Sequence, residues 1–165
     1  MRETDDDRRA LDALLERSYE RAGAHLRSIF TPELRVRADE LVPMMDGMQL
    51  LSLATVTARC EPRVAPVDGI FFRGRLWFGS SPESVRFAHV RERPSVSATH
   101  TRGESFALVA HGTATIVDVS APSHGAFAEC CVEIYGEAWR DWGDGAAYAR
   151  IDATTMFASR LPGTG

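Results

Sequence analysis

The sequence predicts a mainly β (α+β) fold, an antiparallel β-barrel with single helices packed outside it. Three observations carry that prediction. The hydrophobic period changes from helical to strand-like near Gln49. From there, apolar and β-branched runs follow one another at hairpin spacing, interrupted by single helices. Pro66, Gly69 and Gly112 fall inside these runs, as the kinked strands of a short barrel require.

The elements follow in order. Residues 5–30 predict one amphipathic helix, with Leu11, Leu14, Leu15, Tyr19, Leu26 and Ile29 on a single stripe. Asp5, Asp6 and Asp7 sit at its positive end, and Thr31-Pro32 stops it. A shorter helix follows over 39–45, with Pro43 in its first turn. Residues 50–57 and 63–72 read as strands about a turn at 58–62. Arg73-Gly74 is a hairpin turn into a third strand, 75–78. A helix ending before Pro94 comes next, then strands 95–100 and 105–117. In the latter, Phe106, Leu108, Ala110, Ala114 and Ile116 share one face, and Gly112 marks a bend. Residues 122–135 predict a helix capped by Gly136, residues 137–145 match no element, and 148–161 form the last strand.

At 165 residues the chain is one domain. Residues 1–48 form a helical extension packed on the barrel of residues 49–165. The 44% hydrophobic and 25% charged fractions are those of an ordinary globular protein, and no apolar run reaches the roughly 18 residues of a membrane span. A net charge of −4 argues against a nucleic-acid partner. All 19 basic residues are arginine, so lysine Schiff-base chemistry is excluded. The N-terminus is acidic and does not read as a secretory signal. Cys60, Cys130 and Cys131 have no Cys-x-x-Cys spacing, which fits a reducing compartment. The expected location is the cytoplasm.

Walker A, Gly-x-Gly-x-x-Gly, His-Glu-x-x-His and Gly-x-Ser-x-Gly motifs are all missing, and no carboxylate pair suggests acid/base work. The five histidines lack metal-site spacing, although His100 and His111 sit where a hairpin can bring them together. One stretch does suggest a ligand. Leu76 to Arg86 reads as a strand end, a small-residue turn and a helix opening, with Ser81 as N-cap and Pro82 at the first helical position. Ser80, Ser81, Ser84 and Arg86 around free helix N–H groups make a phosphate cradle.

The order of the parts adds to this. A strand (Leu53-Ala54-Thr55-Val56) precedes Glu61-Pro62, the run Arg63-Val64-Ala65-Pro66-Val67-Asp68-Gly69 and the Leu76-Trp77-Phe78 strand. The serine-rich helix opening, Arg93-Pro94-Ser95-Val96-Ser97 and His111-Gly112-Thr113-Ala114 follow. In that order, over about residues 50–118, the chain resembles the pyridoxamine 5′-phosphate oxidase-like superfamily of flavin-binding split barrels.

The resemblance implies a six-stranded split barrel that dimerises, with FMN or a deazaflavin in clefts at the interface. It implies that Arg63, Val64, Ala65, Pro66, Val67 and Asp68 line the flavin, and that Phe78, Gly79 and Ser80 approach the ribityl phosphate. Ser84-Val85-Arg86 matches the family's phosphate-holding Ser-x-Lys/Arg pattern, with Ser81 beside it, and Arg63 matches a second phosphate arginine. The chain departs from the true oxidases at Phe106-Ala107, where they carry glutamine, and in its C-terminal tail. The expected function is therefore an FMN-dependent oxidoreductase on another small molecule, with catalytic residues unassigned and no metal. Three alternatives stand beside it. A deazaflavin reductase would use Arg59, Arg73, Arg75 and Arg102 along its groove. A non-catalytic flavin or heme carrier would take His89, His100 or His111 as the heme ligand. The third is an empty barrel serving as an interaction module.

Overall fold

The computed structural model describes residues 2–160, apart from the side chain of Asp144. Six antiparallel strands close into a barrel: β1 (Met48–Val56), β2 (Pro62–Phe72), β3 (Arg75–Ser80), β4 (Ser95–Arg102), β5 (Phe106–Val117) and β6 (Ala147–Arg160), in the order β1-β2-β3-β6-β5-β4. The helices are α1 (Asp5–Arg21), α2 (Ala24–Ile29), α3 (Ala38–Met44), α4 (Val85–Glu92), α5 (Gly125–Tyr135) and α6 (Trp139–Trp142). The fold is the α+β split barrel that the sequence predicts. Leu161, the expected end of the last strand, lies outside the described residues.

Strand alternation divides the apolar side chains between two cores. Inward-facing Leu51, Leu53, Val67, Phe71, Phe78, Leu108 and Met156 fill the barrel, and Leu11, Leu15 and Leu41 of α1 and α3 join the same cluster. The opposite faces of β2 and β3 send Ile70, Phe72 and Trp77 outward, under Phe127 and Cys131 of α5. There Trp77 stacks on Phe127 with ring centroids 4.0 Å apart. Each such side chain contributes about 1.5–3 kcal/mol when fully buried.

Several local expectations change. The helix expected over 5–30 is two helices, because Ala22 turns extended and Gly23, a poor helix former, caps α2. Pro43 lies in the second turn of α3, not the first. The helix expected to open at Ser81 opens at Val85, with Ser84 in the N-cap position. Ser-Pro begins a turn as readily as a helix. Here Ser81 Oγ accepts from Glu83 N–H, and Ser84 N–H closes the turn onto the Ser81 carbonyl. Ile116 is exposed rather than sharing the buried face of β5. Residues 137–145 hold the short α6 and a 3₁₀ turn, Gly143–Gly145. Gly112 stands at a register shift against β6, where a Cβ would lie 2.3 Å from the Asp152 carbonyl oxygen, so only glycine fits.

The barrel wall opens at two places. β3 pairs with β6 only over Ala147 to Ile151, so the C-terminal half of β6 lacks a neighbour on that side. α1 fills this gap. Ser18 Oγ accepts the Met156 N–H at 2.9 Å, and Tyr19 Oη accepts from Ala158 N–H and donates to its carbonyl. Val36 N–H also donates to the Ala158 carbonyl, at 2.9 Å. The second opening lies between β2 and β3, which pair only from Gly69–Phe78 to Phe72–Arg75. Residues 62–68 of β2 pair with β1 alone.

Candidate functional site

The unpaired edge of β2 forms one lip of a cleft, and the β3 end with α4 forms the other. Proline suits such an edge, since it has no N–H to leave unpaired. Pro66 sits there, and its carbonyl accepts from Arg86 Nη2 at 2.9 Å. Strand alternation turns the backbone groups of Val64 and Asp68 to the same side. Arg86 Nη1 also donates to Ser80 Oγ at 3.0 Å, so one guanidinium spans the opening between β2 and β3.

Behind this bridge lies a cavity of about 350 Å³. Arg63, Ala65, Ser80, Ser84, Val85 and Arg86 line it, and so do Thr55 and His89. Ser84 Oγ is buried and makes no hydrogen bond among the described residues, although Ser84 occupies the N-cap position of α4. A buried hydroxyl normally has a partner, and this one lies beside a guanidinium and the free N–H groups of a helix first turn. The set suits an anion with several acceptor oxygens.

The expected site residues divide by placement. Ser80, Ser84 and Arg86 come together, with Arg63 at the rim. Arg63 is paired with Glu61 at 3.0 Å, an exposed ion pair worth at most about 1 kcal/mol, which a phosphate can displace. Val85 is exposed beside them. Val67 and Phe78 turn their side chains into the barrel core, where Phe78 packs on Phe87. Ser81, Gly79 and Asp68 line a different cavity.

Thr55 and His89 escaped sequence reasoning as cradle residues. His89 Nδ1 lies 2.9 Å from Thr55 Oγ1 on the cradle wall. They come from β1 and α4, and only the closed barrel brings them together. His100 and His111 do not meet, because β4 and β5 pair His100 with Leu108 and His111 with Ser97. His100 is buried and His111 exposed. Of Arg59, Arg73, Arg75 and Arg102, only Arg73 and Arg75 line one groove, beside α1. Arg59 and Arg73 flank opposite ends of β2, roughly 30 Å apart along an 11-residue strand, and Arg102 binds the Met44 carbonyl.

The second cavity, about 280 Å³, lies on the outer side of β2 and β3 and shares Ser80 with the first. Trp77, Phe127, Tyr135, Trp142 and Tyr148 wall it. Gly79 permits this, since a Cβ there would fall 2.7 Å from the Tyr148 ring. Trp139 Nε1 donates to Tyr148 Oη at 2.8 Å and fixes that phenol. Burial first, then the Asp68 carboxylate, raises the pKa of Tyr135 well above the usual range. Tyr148 is raised chiefly by burial. Both phenols are thus neutral hydrogen-bond donors. Among the described residues, no group of histidine, cysteine and carboxylate side chains is arranged to hold a metal ion.

No family model matches the chain, and no curated protein matches it in sequence. Solved structures do match. HutZ, the heme storage protein of Vibrio cholerae, superposes with a TM-score of 0.63 at 17% identity, over 73% of this chain and 93% of its own. An FAD-binding protein of Mesorhizobium loti gives 0.59 at 16% identity, over 77% and 96%. A candidate pyridoxamine 5′-phosphate oxidase of Listeria innocua gives 0.56 at 17% identity, over 73% and 95%. The chain therefore has the split-barrel fold of the pyridoxamine 5′-phosphate oxidase-like proteins.

Proposed function

We propose that this chain is a cytoplasmic, homodimeric, FMN-dependent oxidoreductase acting on a small molecule. The observation that carries the reading is the unpartnered, buried Ser84 Oγ beside Arg86 and Ser80 at the mouth of an open strand edge. A flavin nucleotide has both parts this cleft suits: a phosphate for the cradle, and a polar ring edge for the free backbone groups of Val64 and Asp68. Exposed Met48, Leu50 and Val64 on the outer faces of β1 and β2 support self-association. The cytoplasmic assignment draws on three unpaired cysteines.

The flavin, when bound, supplies the redox chemistry. The chain holds its phosphate through Arg86, Ser80 and Ser84, with Arg63 at the rim adding charge. The β2 edge orients the ring through backbone hydrogen bonds, and the apolar walls keep water away. The matched structures include a heme storage protein, and the test separates the two cofactors. Protein purified without added cofactor is expected to show a flavin spectrum and release a molecule of FMN mass. A Soret band would replace this reading with a heme carrier, and colourless protein that binds neither would end it. Arg86→Ala is expected to weaken FMN binding by about 1.5–3 kcal/mol, roughly 10- to 150-fold in Kd. Unchanged affinity would move the phosphate elsewhere.

A further inference from the structure

The cavity behind Trp77 and Tyr148 has a lining distinct from that of the cradle. Half of its lining residues are aromatic, and its volume of about 280 Å³ is at the small end for small-molecule sites. It opens beside Ser80 and Ser81, next to the cradle. Of its lining residues, Asp68 alone carries a charge, and no basic side chain faces the space. Among the described residues the Asp68 carboxylate makes no ion pair and no side-chain hydrogen bond, unlike Asp152, which is held by Arg75 and Arg150. No described cation pairs with this exposed carboxylate, so an anion entering here meets repulsion and a cation meets attraction. Trp142, half-exposed at the cavity wall, offers an indole to a flat ring, and indole faces favour positive charge. Tyr135 and Tyr148 stay protonated and add donors without adding charge.

We propose that this cavity binds a planar aromatic molecule bearing a cationic or hydrogen-bond-donating group, with Asp68 receiving that group. The molecule is the small-molecule substrate of the oxidoreductase proposed above, and the inference rests on that reading for its place in the reaction. It excludes phosphorylated and carboxylated aromatics as preferred ligands.

The test is a titration of the purified full chain with three probes of one shape: N-methylquinolinium, quinoline and quinoline-2-carboxylate. Binding is read by quenching of tryptophan fluorescence, with and without saturating FMN, and FMN binding is measured separately by its visible spectrum. The expected order is cation, neutral, anion, with at least a tenfold gap between the first and last. Asp68→Asn is expected to close most of that gap while the neutral probe keeps its affinity. Trp142→Ala is expected to weaken all three probes. No quenching by any probe would overturn the inference, as would equal affinities in the unaltered chain or a gap that survives Asp68→Asn. Displacement of the probes by FMN would also overturn it, because the cavity would then belong to the flavin itself. Failure of FMN to bind would sink the proposed function alone, since the probe order is measured without it.

Discussion

Strand β6 beyond Ile151 and strand β2 before Gly69 both lose a neighbour where the barrel wall opens, and the chain treats the two edges in opposite ways. Along β6, α1 lays Ser18 and Tyr19 against the exposed backbone, and both hydroxyls lie in place of the missing strand. Along β2, one guanidinium reaches a single carbonyl, and the remaining groups face the cleft. An unpaired edge invites association and costs free energy when it is buried without partners. A fold that seals one edge with a helix and leaves the other bare has backbone groups at the second that are open to something from outside. The contrast supports the proposed site independently of the Ser84 hydroxyl.

The largest test addresses the sealed edge. The double variant Ser18→Ala, Tyr19→Phe strips both hydroxyls and strands the Met156 and Ala158 N–H groups in a buried place. At about 1–3 kcal/mol for each unsatisfied group, unfolding by urea is expected to become about 2–6 kcal/mol easier. The cradle lies on the other opening, so FMN affinity is expected to stay within twofold. A small loss of stability would mean that α1 covers the edge without sealing it.

At the open edge the sign reverses. Ser84 Oγ is buried without a partner, and the side chain makes no capping bond. Removing it relieves a desolvated hydroxyl and forfeits nothing in the free protein. Ser84→Ala is expected to raise stability by about 1 kcal/mol without ligand and to weaken FMN binding several-fold. A variant that loses stability would show that the hydroxyl serves the fold, and the two edges would then be alike.

The difference between the edges also explains what the sequence reveals. The barrel was readable because hairpin turns such as Arg73-Gly74 set the strand order locally. Arg86 was readable because it follows Ser84 at a fixed spacing on one short helix. Tyr19 appeared only as one more residue of an apolar stripe, and its hydroxyl gains meaning when β6, 139 residues away, comes alongside. Thr55 and His89 are separated in the same way. Residues 137–145 resisted assignment because α6 is held from outside itself, by Trp139 on Tyr148 and by Arg140 on Glu129. Local signals show what a segment can do alone, and these residues act only on something distant.

The smallest effect belongs to the sealed side, where the segment before α1 ties down the β2–β3 hairpin. Glu3 Oε1 accepts the Arg73 N–H at 3.2 Å, and burial outweighs that bond and raises the Glu3 carboxyl pKa above its usual range. The folded chain therefore holds this proton more tightly than the unfolded chain. The resulting stability is fully present below the ordinary glutamate pKa and is lost as pH rises through the raised one. Glu3→Gln keeps an acceptor for Arg73 and removes the titration. Its stability profile is expected to be flatter than that of the unaltered chain on the acidic side of neutrality, leaving it more stable at pH 7 by a fraction of a kcal/mol. Paired urea titrations at pH 4 and pH 7 measure this directly. Parallel profiles would mean that Glu3 stays hydrated, and the hairpin would then be held by the backbone and α1 alone.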